Sequence, residues 1–81
     1  MSDVESIAFN AEVDAIGMNC PLPILRTKKA LATMQSGEVL KIKATDSGAA
    51  RDFPAFAKQT GNELIASATG GDVLVFFLKR R

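Results

Sequence analysis

Histidine, tryptophan and tyrosine are absent from this 81-residue chain, and cysteine occurs once. Without histidine the commonest general base and metal ligand is missing, and a Cys-His hydrolytic pair cannot be built. One cysteine excludes a dithiol oxidoreductase, which needs a resolving thiol. It also leaves a zinc site far short of the about four Cys and His ligands such a site normally takes. No metal and no cofactor are expected, and no disulfide or metal staple supplements the core, so a domain this small must pack efficiently. The five phenylalanines stand in contexts that read as core or near-core, which leaves no stacking platform for bases.

There is no apolar run long enough to span a membrane. The opening residues Met1-Ser2-Asp3-Val4-Glu5 are acidic and polar and lack the basic and apolar regions of a secretory signal, so a cytoplasmic location is expected. A single free thiol agrees with a reducing compartment. The net charge is +1, from ten basic and nine acidic residues, too small a field to drive nucleic-acid binding. Two local basic patches stand out, Arg26 with Lys28 and Lys29, and the run Lys79-Arg80-Arg81. They would serve a small nucleic-acid binder, whose mark would be salt-dependent affinity, but direct contact with nucleic acid or membrane is not expected.

Hydrophobic residues make up 47% of the chain and are spread throughout, the composition of a packed core. One domain spanning residues 1–81 is expected. Ile7, Phe9, Ala11 and Val13 alternate with polar positions and mark a half-buried strand over residues 7–14. After Gly17 come Cys20 and two prolines, which suit a first helical turn because their missing N–H groups would have had no intrahelical partner. A helix follows through Gln35 and stops at Ser36-Gly37. Ile24, Thr27, Ala30, Leu31 and Met34 share its apolar face, with Arg26, Lys29 and Thr33 opposite and Leu22 and Leu25 on the polar flank beside the thiol. A second strand alternates over residues 38–45, and a second helix over residues 49–60 carries Pro54, which would fit its first turn.

Strand-like runs over residues 62–69 and 73–79 flank Gly70-Gly71-Asp72, a hairpin signal. The last of these, Val73 to Leu78, reads as a buried strand, although as an under-protected edge it would support self-association. The order βαβαββ implies an α/β (α+β) fold, a two-layer sandwich with both helices on one face of a mixed four-stranded sheet. Right-handed crossover makes the first two strands parallel, and the hairpin is antiparallel.

Cys20 is the residue on which chemistry can rest. A thiolate is the reactive form, and a helix N-terminus favours it, so an ionised sulfur at neutral pH is the first expectation. Pro21 and Pro23 weaken that expectation, since neither can point an N–H at the sulfur, but they stiffen the turn that presents it. The plain alternative is a small buried hydrophobe. A thiol that survives the exclusions above is one that accepts a group and passes it on.

From Asp14-Ala15-Ile16-Gly17-Met18-Asn19-Cys20-Pro21-Leu22-Pro23, through Lys28-Lys29-Ala30-Leu31, to Gly37-Glu38, Asp46 and Arg51-Asp52-Phe53-Pro54, the chain resembles the TusA/SirA-like family of bacterial sulfur carriers. The resemblance implies that Cys20 bears a persulfide. Its protein donor would be a cysteine desulfurase or a rhodanese-type protein, and its protein acceptor would serve tRNA thiolation, molybdenum cofactor synthesis or sulfur-compound oxidation. Leu22 departs from the best-studied branch of that family, where the position between the prolines is acidic. Asp14 and Gly17 would shape the turn, and Leu22, Leu25, Arg26, Lys28 and Lys29 would form the docking surface. Arg51 and Asp52 are secondary candidates, equally readable as a local ion pair or helix cap. A monomer is expected, and the rival function is a non-catalytic regulatory or protein-interaction module.

Overall fold

A computed structural model describes residues 7–81; the acidic opening segment Met1-Ser2-Asp3-Val4-Glu5 lies outside the described residues. The elements are β1 (Ala11–Ala15), α1 (Leu22–Ala32), β2 (Val39–Ala44), α2 (Ala49–Thr60), β3 (Glu63–Ala68) and β4 (Leu74–Lys79), the expected βαβαββ order. The strands form one sheet in the order β1-β2-β4-β3, with β1 and β2 parallel and the other pairs antiparallel. Helix α1 packs on β1 and β2, and α2 packs on β3 and β4. No described helix is long and apolar enough to cross a membrane.

Period-two alternation decides which face of each strand is buried. In β2, Leu40, Ile42 and Ala44 are fully buried under the helices while Val39, Lys41 and Lys43 face the other way. Val13 and Ala15 of β1 and Leu74, Phe76 and Leu78 of β4 join them, facing Leu31, Met34, Phe53, Phe56 and Ala57 of the helical layer. At the centre the Phe53 and Phe76 rings stack with centroids 4.7 Å apart. Thr27, the one buried polar residue among the described residues, donates its hydroxyl to the Pro23 carbonyl at 2.8 Å, so its burial leaves no polar atom unsatisfied.

Several expectations are corrected. Strand β1 begins at Ala11, and Phe9 leaves the apolar side assigned to it. Asn10 interrupts the alternation: its amide donates to the Val39 carbonyl while its side chain accepts from the Val39 amide. Phe9, exposed rather than core, therefore lies on the helix-free face, 6.2 Å from the Phe77 ring, with the Lys41 ammonium 5.1 Å from its own ring.

Helix α1 ends at Ala32 with Thr33 as its cap, short of Gln35. Pro54 sits inside α2 rather than in its first turn, and the burial of Phe53, Phe56 and Ala57 around it holds the helix together. Strand β4 is internal, not an edge.

Phe53→Ala is expected to remove about 3–5 kcal/mol of stability, as emptying a buried aromatic site does, a large part of the roughly 5–15 kcal/mol available to a domain. Phe9→Ala should cost about 1 kcal/mol or less, since the ring is already half in water. Urea unfolding of both variants checks the pair, and equal losses would contradict the assignment of Phe53 to the core and Phe9 to the surface.

Candidate functional site

Parallel neighbours release their chains at the same edge of the sheet. The loops after β1 and β2 therefore emerge side by side, and α1 and α2 start next to each other above the strands' carboxyl ends. After β1 the chain turns at Ile16-Gly17. Asp14 Oδ1 accepts the Ile16 amide at 3.1 Å, Ala15 O accepts the Met18 amide at 3.1 Å, and the Gly17 amide donates to Thr45 Oγ1 at 2.8 Å. The last bond ties the loop carrying Cys20 to the end of β2. Gly17 has φ +82°, in the left-handed region that only glycine adopts freely.

Cys20 follows, free and exposed. Pro23 behind it is buried, while Pro21 and Leu22 are exposed. In this first turn Pro21 and Pro23 have no N–H, the Leu22 amide bonds the Asn19 carbonyl and the Leu25 amide bonds the Pro21 carbonyl. Only the Ile24 amide is left without an acceptor among the described residues. The helix start therefore offers the sulfur a weaker field than a proline-free turn would.

Across a narrow crevice, α2 presents the opposite charge. Cys20, Pro23 and Ile24 on one side meet Asp46, Ala49, Asp52 and Phe53 on the other, with too little space between them for a solvent molecule. Asp46 and Asp52 converge over bare Gly48, where an added methyl would stand 3.1 Å from Asp46 Oδ2 and 3.5 Å from Asp52 Oδ2. The first expectation of an ionised sulfur is thus corrected. Local desolvation raises the Cys20 thiol above its ordinary value, the Asp52 carboxylate raises it further, and Asp46 adds to them. Arg51 acts the other way, but its side chain is 89% exposed and its Nε lies 3.8 Å from Asp52 Oδ1, so solvent screens it. These surroundings favour the protonated thiol over the thiolate.

The structure places Asp52 in the crevice with Cys20 and leaves Arg51 exposed in the local ion pair with Asp52 that was its alternative reading. Asp46 and Gly48 belong to the same site, although the sequence reading assigned neither a role. Their signal was an acidic residue on each side of a glycine at a helix start, Asp46 to Asp52. Leu22 and Leu25 are about half exposed, and Arg26, Lys28 and Lys29 are exposed. Leu25, Arg26 and Lys29 line a groove against β1 that Lys28 does not reach. Among the described residues, no acidic or cysteine side chains group as metal ligands.

A family profile described as "Sulfurtransferase TusA" matches residues 11–80. The chain belongs to the TusA family. Among the relatives of this family, a sulfur carrier protein TusA from Allochromatium vinosum is 57% identical over 72 residues, covering 89% of this chain and 95% of that one. A sulfur carrier protein TusA from Pseudomonas syringae pv. syringae is 30% identical over 78 residues, covering 96% and 93%. The crystal structure of a SirA-like protein from Desulfitobacterium hafniense superposes with a TM-score of 0.74 over 86% of this chain and 96% of its own, at 24% identity. That likeness establishes the same fold. TusA-family membership places the chain among sulfur carriers, which work by exchange with other proteins.

Replacing Asp52 by Asn removes the largest charge opposing ionisation of Cys20, so the thiol should ionise at lower pH. Alkylation of Cys20 by iodoacetamide at pH 7 should then accelerate by about threefold or more, because only the thiolate reacts. Asp46→Asn should give a smaller acceleration. Unchanged rates in both variants would show that the carboxylates do not govern the sulfur.

Proposed function

We propose that Cys20 is the atom that carries the sulfur, as a persulfide, between a donor protein and an acceptor protein. The observation that supports this reading is an exposed thiol on a rigid turn, beside a carboxylate and without a cavity for a small substrate. A catalytic pocket would enclose its substrate. A carrier must instead leave its sulfur within reach of two different partners.

The step balances without any redox co-reactant. The Cys20 thiol gives up its proton, for which the Asp52 carboxylate of the same crevice is an acceptor, and its sulfur attacks the outer sulfur of a donor persulfide. The new Sγ–S bond forms as the donor's own S–S bond breaks. The donor thiolate that leaves takes a proton, and Cys20 is left as Cys–S–SH. Discharge repeats these events with the acceptor as nucleophile, and the carrier thiol is the leaving group. The donor is a cysteine desulfurase or a rhodanese-type protein, and the acceptor belongs to a relay for tRNA thiolation, molybdenum cofactor synthesis or sulfur-compound oxidation. The work is done in the cytoplasm by a monomer. Leu22, Leu25, Arg26, Lys28 and Lys29 form the surface on which partners dock.

Intact-mass measurement after incubation with a cysteine desulfurase and cysteine, or with a rhodanese and thiosulfate, tests the proposal. The wild-type protein should gain the mass of one sulfur atom, lost again on reduction, and Cys20→Ser should gain none while unfolding at the same urea concentration. Equal loading of the variant would remove Cys20 from the mechanism. No loading of folded, reduced wild-type protein by either donor would favour a regulatory, non-catalytic module of the same fold.

A further inference from the structure

The sheet has two edges, and they are protected differently. On β3 the register shifts between Leu64 and Ala66, an irregularity that disrupts a strand edge as a template. The pairing of β1 with β2 is in register from Ala11 to Ala15, which leaves a regular outer edge. The direction of its main-chain groups follows from the ladder. The Glu38 carbonyl accepts the Arg80 amide at 2.8 Å, so Glu38, Leu40 and Ile42 turn toward β4, and the alternate residues Val39, Lys41 and Lys43 turn toward β1. In the observed register Ala11 and Val13 bond to those residues. The N–H and C=O groups of Glu12 and Asp14 consequently face away from the sheet.

Beside that edge runs an open groove of about 550 Å³ between β1 and α1, walled on the helix side by Leu25, Arg26 and Lys29. Its charges are unequally satisfied. On the strand side Glu12 pairs with Lys43 at 2.8 Å, and Asp14 accepts the Ile16 amide at 3.1 Å. On the helix side neither Arg26 nor Lys29 has an ion-pair partner among the described residues. The groove therefore combines backbone groups that face away from the sheet, which an added strand would satisfy, with two cations that have no counter-charge among the described residues.

We infer that a partner protein adds an extended segment to the outer edge of β1, with acidic side chains at alternate positions turned toward Arg26 and Lys29. Side chains of an added strand point alternately to the two faces of the sheet, and those on the helix side meet the two cations. Main-chain bonds at Glu12 and Asp14 supply affinity, and the charges select the segment. A second copy of the chain is a poorer occupant. Two β1 edges paired antiparallel about Val13 would set Glu12 of one against Asp14 of the other, and like charges directly opposite destabilise a sheet. The surface does not depend on Cys20, so it stands or falls separately from the persulfide reading.

The probe is a synthetic ten-residue peptide alternating glutamate with valine, titrated at low salt into the isotope-labelled protein carrying Cys20→Ser, which excludes disulfide adducts. Saturable chemical-shift changes are expected in β1 and α1, with hydrogen exchange of the Glu12 and Asp14 amides slowed by about tenfold or more. Arg26→Glu with Lys29→Glu should weaken the dissociation constant by about tenfold or more, Lys58→Glu should leave it unchanged, and a peptide with lysine for glutamate should not bind. Binding that leaves the Glu12 and Asp14 amides unprotected would overturn strand addition, as would no saturable binding. Concentration-dependent dimerisation with the same amides protected and no peptide present would assign the edge to a second copy instead.

Discussion

The parallel pairing of β1 with β2 is the constraint on which the site depends. An antiparallel pair would release its two following segments at opposite ends of the sheet. Because these strands run together, α1 and α2 begin at one edge, and a cysteine at the start of the first meets carboxylates at the start of the second. Side-chain size makes the approach possible. Ala15 and Ala44 face each other in register at the strands' carboxyl ends, Ala49 opens α2, and each is at most 2% exposed. Close packing leaves little slack beneath the helix starts, so a larger side chain at any of these places would push the thiol and the carboxylates apart.

Two electrostatic effects then compete at Cys20, and their parts can be ranked from the geometry. The helix start favours negative charge through its free N–H groups, but two of its four leading positions are prolines and the Leu22 amide is bonded to the Asn19 carbonyl. Opposing it are local desolvation and two carboxylates, Asp52 and Asp46, that line the same crevice. Among the groups facing the sulfur, desolvation and the carboxylates outweigh Arg51, which is screened by water, and the helix start adds only one free amide. A protonated sulfur is a quiet resting state, since oxidation follows thiolate character.

Much of this was legible in the sequence, and the failures have physical causes. Binary pattern alone places β2 and its two faces, because Leu40, Ile42 and Ala44 alternate without interruption, and α2 is bounded correctly by its apolar face and by Gly61, whose φ is +78°. The same alternation misleads at Phe9, where Asn10 breaks the strand through a pair of bonds to Val39 that no periodicity reveals. The position of Cys20 at an exposed helix start was readable from the prolines. Its ionisation was not, because Asp46 and Asp52 lie far along the chain and reach it only through strand order. For the same reason the groove beside β1 has no sequence signature of its own: Glu12 and Arg26 belong to one surface only once β1 is known to be an edge.

Direct titration of the Cys20 sulfur, followed through the ultraviolet absorbance of its thiolate, tests the central claim most directly. The chain suits the measurement, having one cysteine and neither tyrosine nor tryptophan to obscure the signal. The account predicts a single inflection at higher pH than that of an unstructured peptide cysteine, with the thiol fully protonated at neutral pH. An inflection at lower pH, with thiolate already present at neutrality, would contradict it and show that the helix start, not the carboxylates of α2, controls the sulfur.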